Sequence, residues 1–218
     1  MLPYHVAEMQ NVSEIVIDGV KIDGCIFECD KDILQYDDSM FGVVMFCDCL
    51  EHLIVDPIWT LLEFNRVLRM GGRLIIATPN IAALYRVYAI LKGDNPASES
   101  AIKPCAIYQR HNREWTLTEI SSVLGSCGFR NIRYSTNAEM LSDGDRNFVK
   151  KCEDMGAPTR PIEEYGPELF VVAEKCEHRT LSSNLSKEDR WPEWLYSAHE
   201  EYRKRPKTFP IVVDDDYA

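Results

Sequence analysis

Residues Phe41–Asn80 read FGVVMFCDCLEHLIVDPIWTLLEFNRVLRMGGRLIIATPN, and the order of patterns in this stretch predicts the fold. Val43–Cys47 is a continuous apolar run, typical of a strand that is covered on both faces, and the apolar run Arg73–Thr78 is predicted to be the next strand. Between them, Asp56–Met70 carries apolar residues at helical spacing, and its first two residues, Asp and Pro, are typical of a helix start. The stretch therefore predicts a β-α-β unit of an open parallel sheet.

The same alternation continues beyond this unit. Gly71-Gly72 is expected to end the helix, because glycine adopts the left-handed cap conformation at little cost. A helix at Thr116 is predicted by the capping box that Thr116 forms with Glu119. The other predicted elements are a short strand at Cys25–Cys29, a helix at Ile81–Leu91, a strand at Phe129–Tyr134, a weak helix at Leu141–Met155 and a last strand at Glu168–Glu174. This order is typical of a doubly wound α/β sheet.

Charge and composition limit the partners and the compartment. The 218 residues carry a formal net charge of −11, so that nucleic acid, which needs clustered Lys and Arg, is not an expected partner. No apolar run is long enough to cross a membrane, and the N-terminus does not have the pattern of a secretory signal. We therefore expect a cytoplasmic protein with a small-molecule substrate and no membrane partner.

The cysteines are expected to be buried, reduced thiols. None of the eight has the CxxC spacing that zinc sites and redox motifs use, although zinc binding and disulfides stay open as alternatives. They are Cys25, Cys29, Cys47, Cys49, Cys105, Cys127, Cys152 and Cys176.

Candidate functional residues follow the predicted strands. Ligands of doubly wound sheets bind beyond the carboxyl ends of the strands. Asp30 follows the first of these strands, Asp48–His52 follows the second, and Asn80 follows the third. We expect these side chains to lie at one edge of the sheet.

Several segments, taken in order, resemble the class I S-adenosylmethionine (SAM) dependent methyltransferases of types 11 and 23. They are CDCLEHL at 47–53, EFNRVLRMGG at 63–72, TPN at 78–80, RHNREWT at 110–116 and GF at 128–129. The resemblance covers about residues 25–175. It implies a Rossmann-like fold, SAM as cofactor, and transfer of a methyl group to O, N or C of a small metabolite or glycan precursor.

The resemblance also implies which residues contact the cofactor. Asp30 matches the acidic position that binds the adenine amino group, and Lys31 follows it. Cys47, Asp48 and Cys49 would border the cofactor. The alternatives for Asp30 and for 47–49 are a turn and the end of a strand.

Around the acceptor, the resemblance implies a pocket and a proton acceptor. Glu51, Asn80, His111, Asn112 and Arg113 would line the pocket. Each has a structural alternative: loop organisation for Glu51, capping of the next helix for Asn80, and loop anchoring for 111–113.

His52 would accept a proton from the acceptor, and hydrogen bonding within its loop is the alternative. Asp48, Glu51 and His52 also resemble a metal site of some O-methyltransferases. We expect that no metal is bound.

The sequence departs from the family in two places. Gly42 stands where the family has Asp, and nothing before Asp30 matches the family's E/D-x-G-x-G-x-G cofactor loop. We therefore expect an N-terminally truncated domain at 1–175, followed by a helical or disordered extension at 176–218. Without the missing strand, the edge of Val43–Cys47 would be exposed unless something else covers it. The absent loop leaves a second function open, namely an inactive methyltransferase-like remnant that acts as a binding or scaffold subunit. The acceptor and the oligomeric state do not follow from the sequence.

Overall fold

The structure is a computed structural model, and it describes residues 32–54, 56–97 and 110–180, the single residues 29 and 195, and the backbone of 15–17 and 20–22. Six strands and four α-helices lie in these ranges. The strands are β1 (Ile15–Ile17), β2 (Val20–Ile22), β3 (Phe41–Cys47), β4 (Leu68–Pro79), β5 (Phe129–Thr136) and β6 (Glu168–Lys175). The helices are α1 (Pro57–Val67), α2 (Leu84–Lys92), α3 (Leu117–Ser126) and α4 (Asp143–Asp154).

A four-stranded mixed sheet is the centre of the described fold. Its strand order is β3-β4-β6-β5, while β1 and β2 form a separate antiparallel pair. β3 and β4 are parallel, and β6 runs antiparallel to both of its neighbours. The predicted α/β class, the β-α-β unit and the final strand are confirmed.

Helix α1 begins as predicted and ends earlier than predicted. The Asp56 carboxylate accepts a hydrogen bond of 2.9 Å from the Ile58 N–H, and Pro57 is the first helical residue. The helix ends at Val67, and the chain enters β4 directly at Leu68. The prediction that Gly71-Gly72 ends the helix is wrong, because both glycines lie inside β4, where Gly71 adopts a left-handed φ of 72°.

The hydrophobic core lies on one face of the sheet. Alternate residues of β4 and β6, such as Leu74, Ile76 and Val171, are almost completely buried. They pack in one cluster with apolar residues of α1 and α3, in which the Phe46 and Phe64 rings meet edge to face at 4.9 Å. This packing holds the carboxyl ends of β3 and β4 in fixed positions.

The opposite face of β3 is open to solvent. Val43 is 50% exposed and Met45 is 69% exposed. Among the described strands, β4 alone pairs with β3. The prediction that this strand is covered on both faces is wrong. A continuous apolar run does not show whether other elements pack on both faces of a strand.

The remaining boundaries shift by a few residues. The capping box at Thr116 is confirmed, whereas the helix predicted from Ile81 begins at Leu84.

The described part of the 176–218 extension contacts the domain: Cys176 and Glu177 donate backbone hydrogen bonds to the Gly128 carbonyl, and Leu195 packs on the core. The division at residue 175 stays a prediction, and the rest of the predicted tail lies outside the described residues. No helix in the described ranges is long and apolar enough to span a membrane.

Candidate functional site

The candidate site begins where β3 ends. Asp48 has a left-handed φ of 51°, and its N–H donates to the Ala77 carbonyl of β4 at 2.9 Å. Residues Leu50–His52 then form one turn of 3₁₀ helix. A positive φ is uncommon outside glycine, and at Asp48 it turns the chain sharply at the end of β3. The turn brings Glu51 and His52 over the end of β4.

Glu51 is buried at the centre of this cluster. The residue is 1% exposed, and its Oε2 accepts a hydrogen bond of 2.8 Å from the Thr78 hydroxyl. Its backbone carbonyl accepts from the N–H groups of Asn112 at 2.7 Å and Arg113 at 3.2 Å. Glu51 therefore joins the turn after β3 to the end of β4 and to the 110–113 segment.

Two histidines from distant parts of the sequence meet here. The rings of His52 and His111 lie edge to face, with their centroids 5.0 Å apart. His52 Nδ1 lies 3.0 Å from the Arg110 carbonyl, and His111 Nδ1 lies 2.6 Å from Glu114 Oε1. Because both partners are acceptors, Nδ1 is the protonated nitrogen of each neutral ring, and Nε2 carries the basic lone pair.

The polar atoms of Glu51, His52 and His111 converge. One ligand atom from each lies within 4.8 Å of the others, and Glu51 Oε1 is 3.7 Å from His52 Nε2. Such a spacing suits transfer of a proton or binding of one polar group, and its size would also admit a divalent ion. The absence of a metal stays a prediction.

Asn112 and Arg113 anchor their loop, and a pocket-lining role of residues 111–113 stays a prediction. The Asn112 amide donates to the His52 carbonyl at 2.9 Å, and Arg113 pairs with Glu119 at 2.7 Å above the Trp115 ring. Asn112 and Arg113 also line a cleft of about 180 Å³ with Leu50 and Leu53. That volume is smaller than the roughly 300–1,000 Å³ of typical small-molecule pockets.

Asn80 holds neighbouring backbone in place. The residue is 1% exposed, and its amide nitrogen donates to the carbonyls of Glu164 and Gly166 at 2.9 and 2.8 Å. Its Oδ1 accepts from the Ala82 N–H, just before α2. A contact between Asn80 and a substrate stays a prediction, and such a contact would require these hydrogen bonds to be replaced.

The predicted cofactor residues are described in part. Cys47 is exposed at the end of β3, which corrects the expectation that it is a buried thiol. Burial, aided by Glu51 and Asp48, raises the pKa of the half-buried Cys49 thiol to about 11. Asp48 is exposed like Cys47, and the contact of residues 47–49 with the cofactor stays a prediction. The predictions for Asp30 and Lys31 lie outside the described residues.

Glu168 is a site residue that the sequence did not indicate. It is the first residue of β6, where it pairs with Pro79 at the end of β4. Burial raises the pKa of its carboxyl to about 7, and the neighbouring charges of Asp48 and Glu51 add to the shift.

A larger cavity of about 360 Å³, lined by α3 and β5, lies at the opposite end of the sheet and includes none of these groups.

A mixed α/β sheet with two parallel strands, β3 and β4, joined by a helix is the architecture of a Rossmann-like domain. The model of the family described as methyltransferase domain matches residues 7–76, about a third of the chain. Residues 7–76 are thus similar to the methyltransferase family, which agrees with the resemblance drawn from the sequence.

Solved structures similar to the chain include methyltransferases of three microbes. A SAM-dependent methyltransferase from Thermotoga maritima, described as a possible histamine N-methyltransferase, is 16% identical with a TM-score of 0.43, over 65% of this chain and 59% of that one. One from Archaeoglobus fulgidus is 15% identical with a TM-score of 0.45, over 69% and 66%. A putative methyltransferase from Bacillus halodurans is 16% identical with a TM-score of 0.41, over 71% and 78%.

The chain spans about three fifths to two thirds of the length of the first two of these proteins. No curated protein matches the sequence.

Proposed function

We propose that the protein is a SAM-dependent methyltransferase that acts on O, N or C of a small metabolite or glycan precursor. The observation that carries the proposal is the convergence of Glu51, His52 and His111 at the carboxyl ends of β3 and β4, in a chain whose residues 7–76 match the methyltransferase family. Ligands of such sheets bind at this edge.

The two sides of the site have different roles in this proposal. Asp30, Lys31 and the turn at 47–49 would hold SAM, which supplies a methyl group on a sulfonium sulfur when bound. The buried side, formed by Glu51, Asn80 and 111–113, would hold the acceptor. The enzyme's main contribution is to bring the two reactants together in the reactive orientation.

His52 is the proposed proton acceptor. Its hydrogen bond to the Arg110 carbonyl fixes the ring and leaves Nε2 as the basic atom. Glu51 Oε1, 3.7 Å away, would stabilise the imidazolium formed when His52 takes the proton of the acceptor.

A second candidate function is a methyltransferase-like binding subunit that does not use SAM. The absent glycine-rich loop and the open edge of β3 favour it. Calorimetric titration of the full chain with SAM separates the two candidates. Binding at micromolar strength would exclude the remnant, and no detectable binding would exclude this chain as an enzyme on its own.

The substitution His52→Gln tests the proton acceptor. We expect kcat to fall by about 10²–10⁴-fold, because an amide cannot take the proton, while the Kd for SAM stays unchanged. The assay measures S-adenosylhomocysteine released with the best acceptor from a screen of phenols, amines and sugars. The control is His178→Gln, since His178 is exposed after β6. An equal fall in both variants, or unchanged kcat in His52→Gln, would remove His52 from this role.

A further inference from the structure

Glu168 has an unsatisfied carboxyl oxygen, and Asp48, Glu51 and His111 of the candidate site are among the charges that act on this carboxyl. Its N–H donates to Asn137 Oδ1 at 2.8 Å, which fixes the backbone at the start of β6. Its Oε1 is shielded from solvent and has no hydrogen-bond partner in the described part of the chain. A buried polar atom without a partner costs free energy, so its retention points to a ligand group that satisfies it.

Charges of both signs act on this carboxyl. Asp48 and Glu51 raise the pKa of Glu168, and His111 and Arg86 act in the opposite direction. Both of these basic groups are already bonded to Glu114, Arg86 through a buried ion pair and His111 through Nδ1. Because Glu114 already balances the charge of Arg86 and His111, the three carboxyls of Asp48, Glu51 and Glu168 carry excess negative charge.

The ligand group that matches this environment is a positively charged N–H donor. An ammonium would donate a charge-assisted hydrogen bond to Glu168 Oε1 and reduce the repulsion among the three carboxylates. A neutral hydroxyl could donate a hydrogen bond and would leave that repulsion unchanged.

We propose that Glu168 binds the amino group of the methyl acceptor, so that the acceptor is a small primary or secondary amine. This inference rests on the proposed function, and it narrows the acceptor atom from O, N or C to N. Before methyl transfer the bound ammonium would give one proton to His52, which frees the nitrogen lone pair that accepts the methyl group. Glu168 acts here as a residue that determines specificity.

The test uses the full chain labelled with ¹³C at the glutamate carboxyls, and three amines with their matched alcohols. The pairs are ethanolamine and ethylene glycol, benzylamine and benzyl alcohol, and tyramine and 4-(2-hydroxyethyl)phenol. We expect at least one amine to shift the Glu168 signal and its alcohol to leave the signal in place. No shift with any amine, or equal shifts with amine and alcohol, would overturn the inference.

Substitutions at Glu168 test whether this residue binds the amine. In Glu168→Gln we expect the affinity for that amine to fall about tenfold or more, because the charge-assisted hydrogen bond is lost. Glu174→Gln, which removes the same charge at the other end of β6, should retain it. If Glu168→Gln does not fold, Glu168→Asp, which withdraws the carboxyl by one methylene, is measured in the same way.

A parallel titration with SAM separates this inference from the proposed function. SAM binding without an amine response at Glu168 would overturn the amine subsite alone. Amine binding without SAM binding would support the subsite and contradict methyl transfer by this chain. A loss of SAM affinity in Glu168→Gln with amine affinity retained would assign Glu168 to the cofactor and overturn the inference.

Discussion

The carboxyl of Glu168 has a pKa of about 7, raised above the usual 4.5 mainly by burial. The folded protein thus holds this proton more tightly than the unfolded chain does. The resulting stabilisation is fully present below pH 4.5 and is lost as the pH rises through 7.

Glu168→Gln should therefore raise the free energy of unfolding at pH 8 and leave it unchanged near pH 4.5. Solvent screening at this half-buried position limits the gain to on the order of 1 kcal/mol. Urea denaturation at both pH values measures it, with Glu174→Gln as the charge control. An equal effect of Glu168→Gln at the two pH values would contradict the pKa shift.

Cys47 and Cys49 should differ in reactivity because they differ in burial. Cys47 is exposed, whereas Cys49 is half-buried, and its burial, with smaller contributions from Glu51 and Asp48, raises its pKa to about 11. Because the thiolate is the reactive form, iodoacetamide at pH 7.5 should label Cys47 at least about tenfold faster than Cys49. Peptide mass spectrometry after timed labelling reports both rates, and Cys47→Ser identifies the two sites. Faster labelling of Cys49 would show that its thiolate is stabilised.

At the scale of elements, a buried lysine fixes the junction between α1 and β4. Lys175 is 1% exposed at the end of β6, and its ammonium donates to the carbonyls of Asn65 and Leu68 at 2.5 and 2.7 Å. These carbonyls lie where the helix ends and the strand begins. A positive charge at the C-terminus of a helix is also favourable to the helix dipole.

Lys175→Met should keep the apolar contacts of the side chain and remove both hydrogen bonds. We expect the free energy of unfolding to fall by about 1–3 kcal/mol, since two buried carbonyls lose a charged donor. Chemical denaturation measures the change against Lys150→Met, a substitution at an exposed position of α4. A loss of the same size in both variants would mean that the junction does not depend on Lys175.

The helix ends show which features local sequence patterns can predict. The start of α1 and the capping box at Thr116 were predictable because side chains of the same segment form these caps. The end of α1 was not, because the glycine pair satisfies the rule for a helix end and also permits the irregular start of β4. Pairing of β4 with both β3 and β6 decides between the two.

The site shows the corresponding limit for function. Residues that follow parallel strands were predictable, because those strands end at one edge of the sheet. Glu168 precedes a strand, and it reaches the same edge only because β6 is antiparallel to β4. Likewise, the resemblance placed His52 and His111 in one site, whereas their ring contact depends on the Glu51 carbonyl that binds the 111–113 backbone.

At the scale of the whole molecule, the described sheet is asymmetric. β4 and β6 each pair with two strands, whereas β3 and β5 each pair with one. In a parallel pair, alternate residues direct their N–H groups away from the neighbour, so about half of the β3 amides point to the open edge. Met45, at 69% exposure, lies on the open face of the same strand.

Amide hydrogen exchange measures whether this edge is open in solution. We expect the amides of Leu74, Ile76 and Val171 to exchange only by global unfolding, since their strands are paired on both sides. The outward amides of β3 should exchange at least about a hundredfold faster, as at the β5 edge. If β3 is protected like β4, another part of this chain or a second molecule completes the sheet. Repeating the measurement over a range of protein concentrations distinguishes the two, because only a second molecule makes the protection depend on concentration.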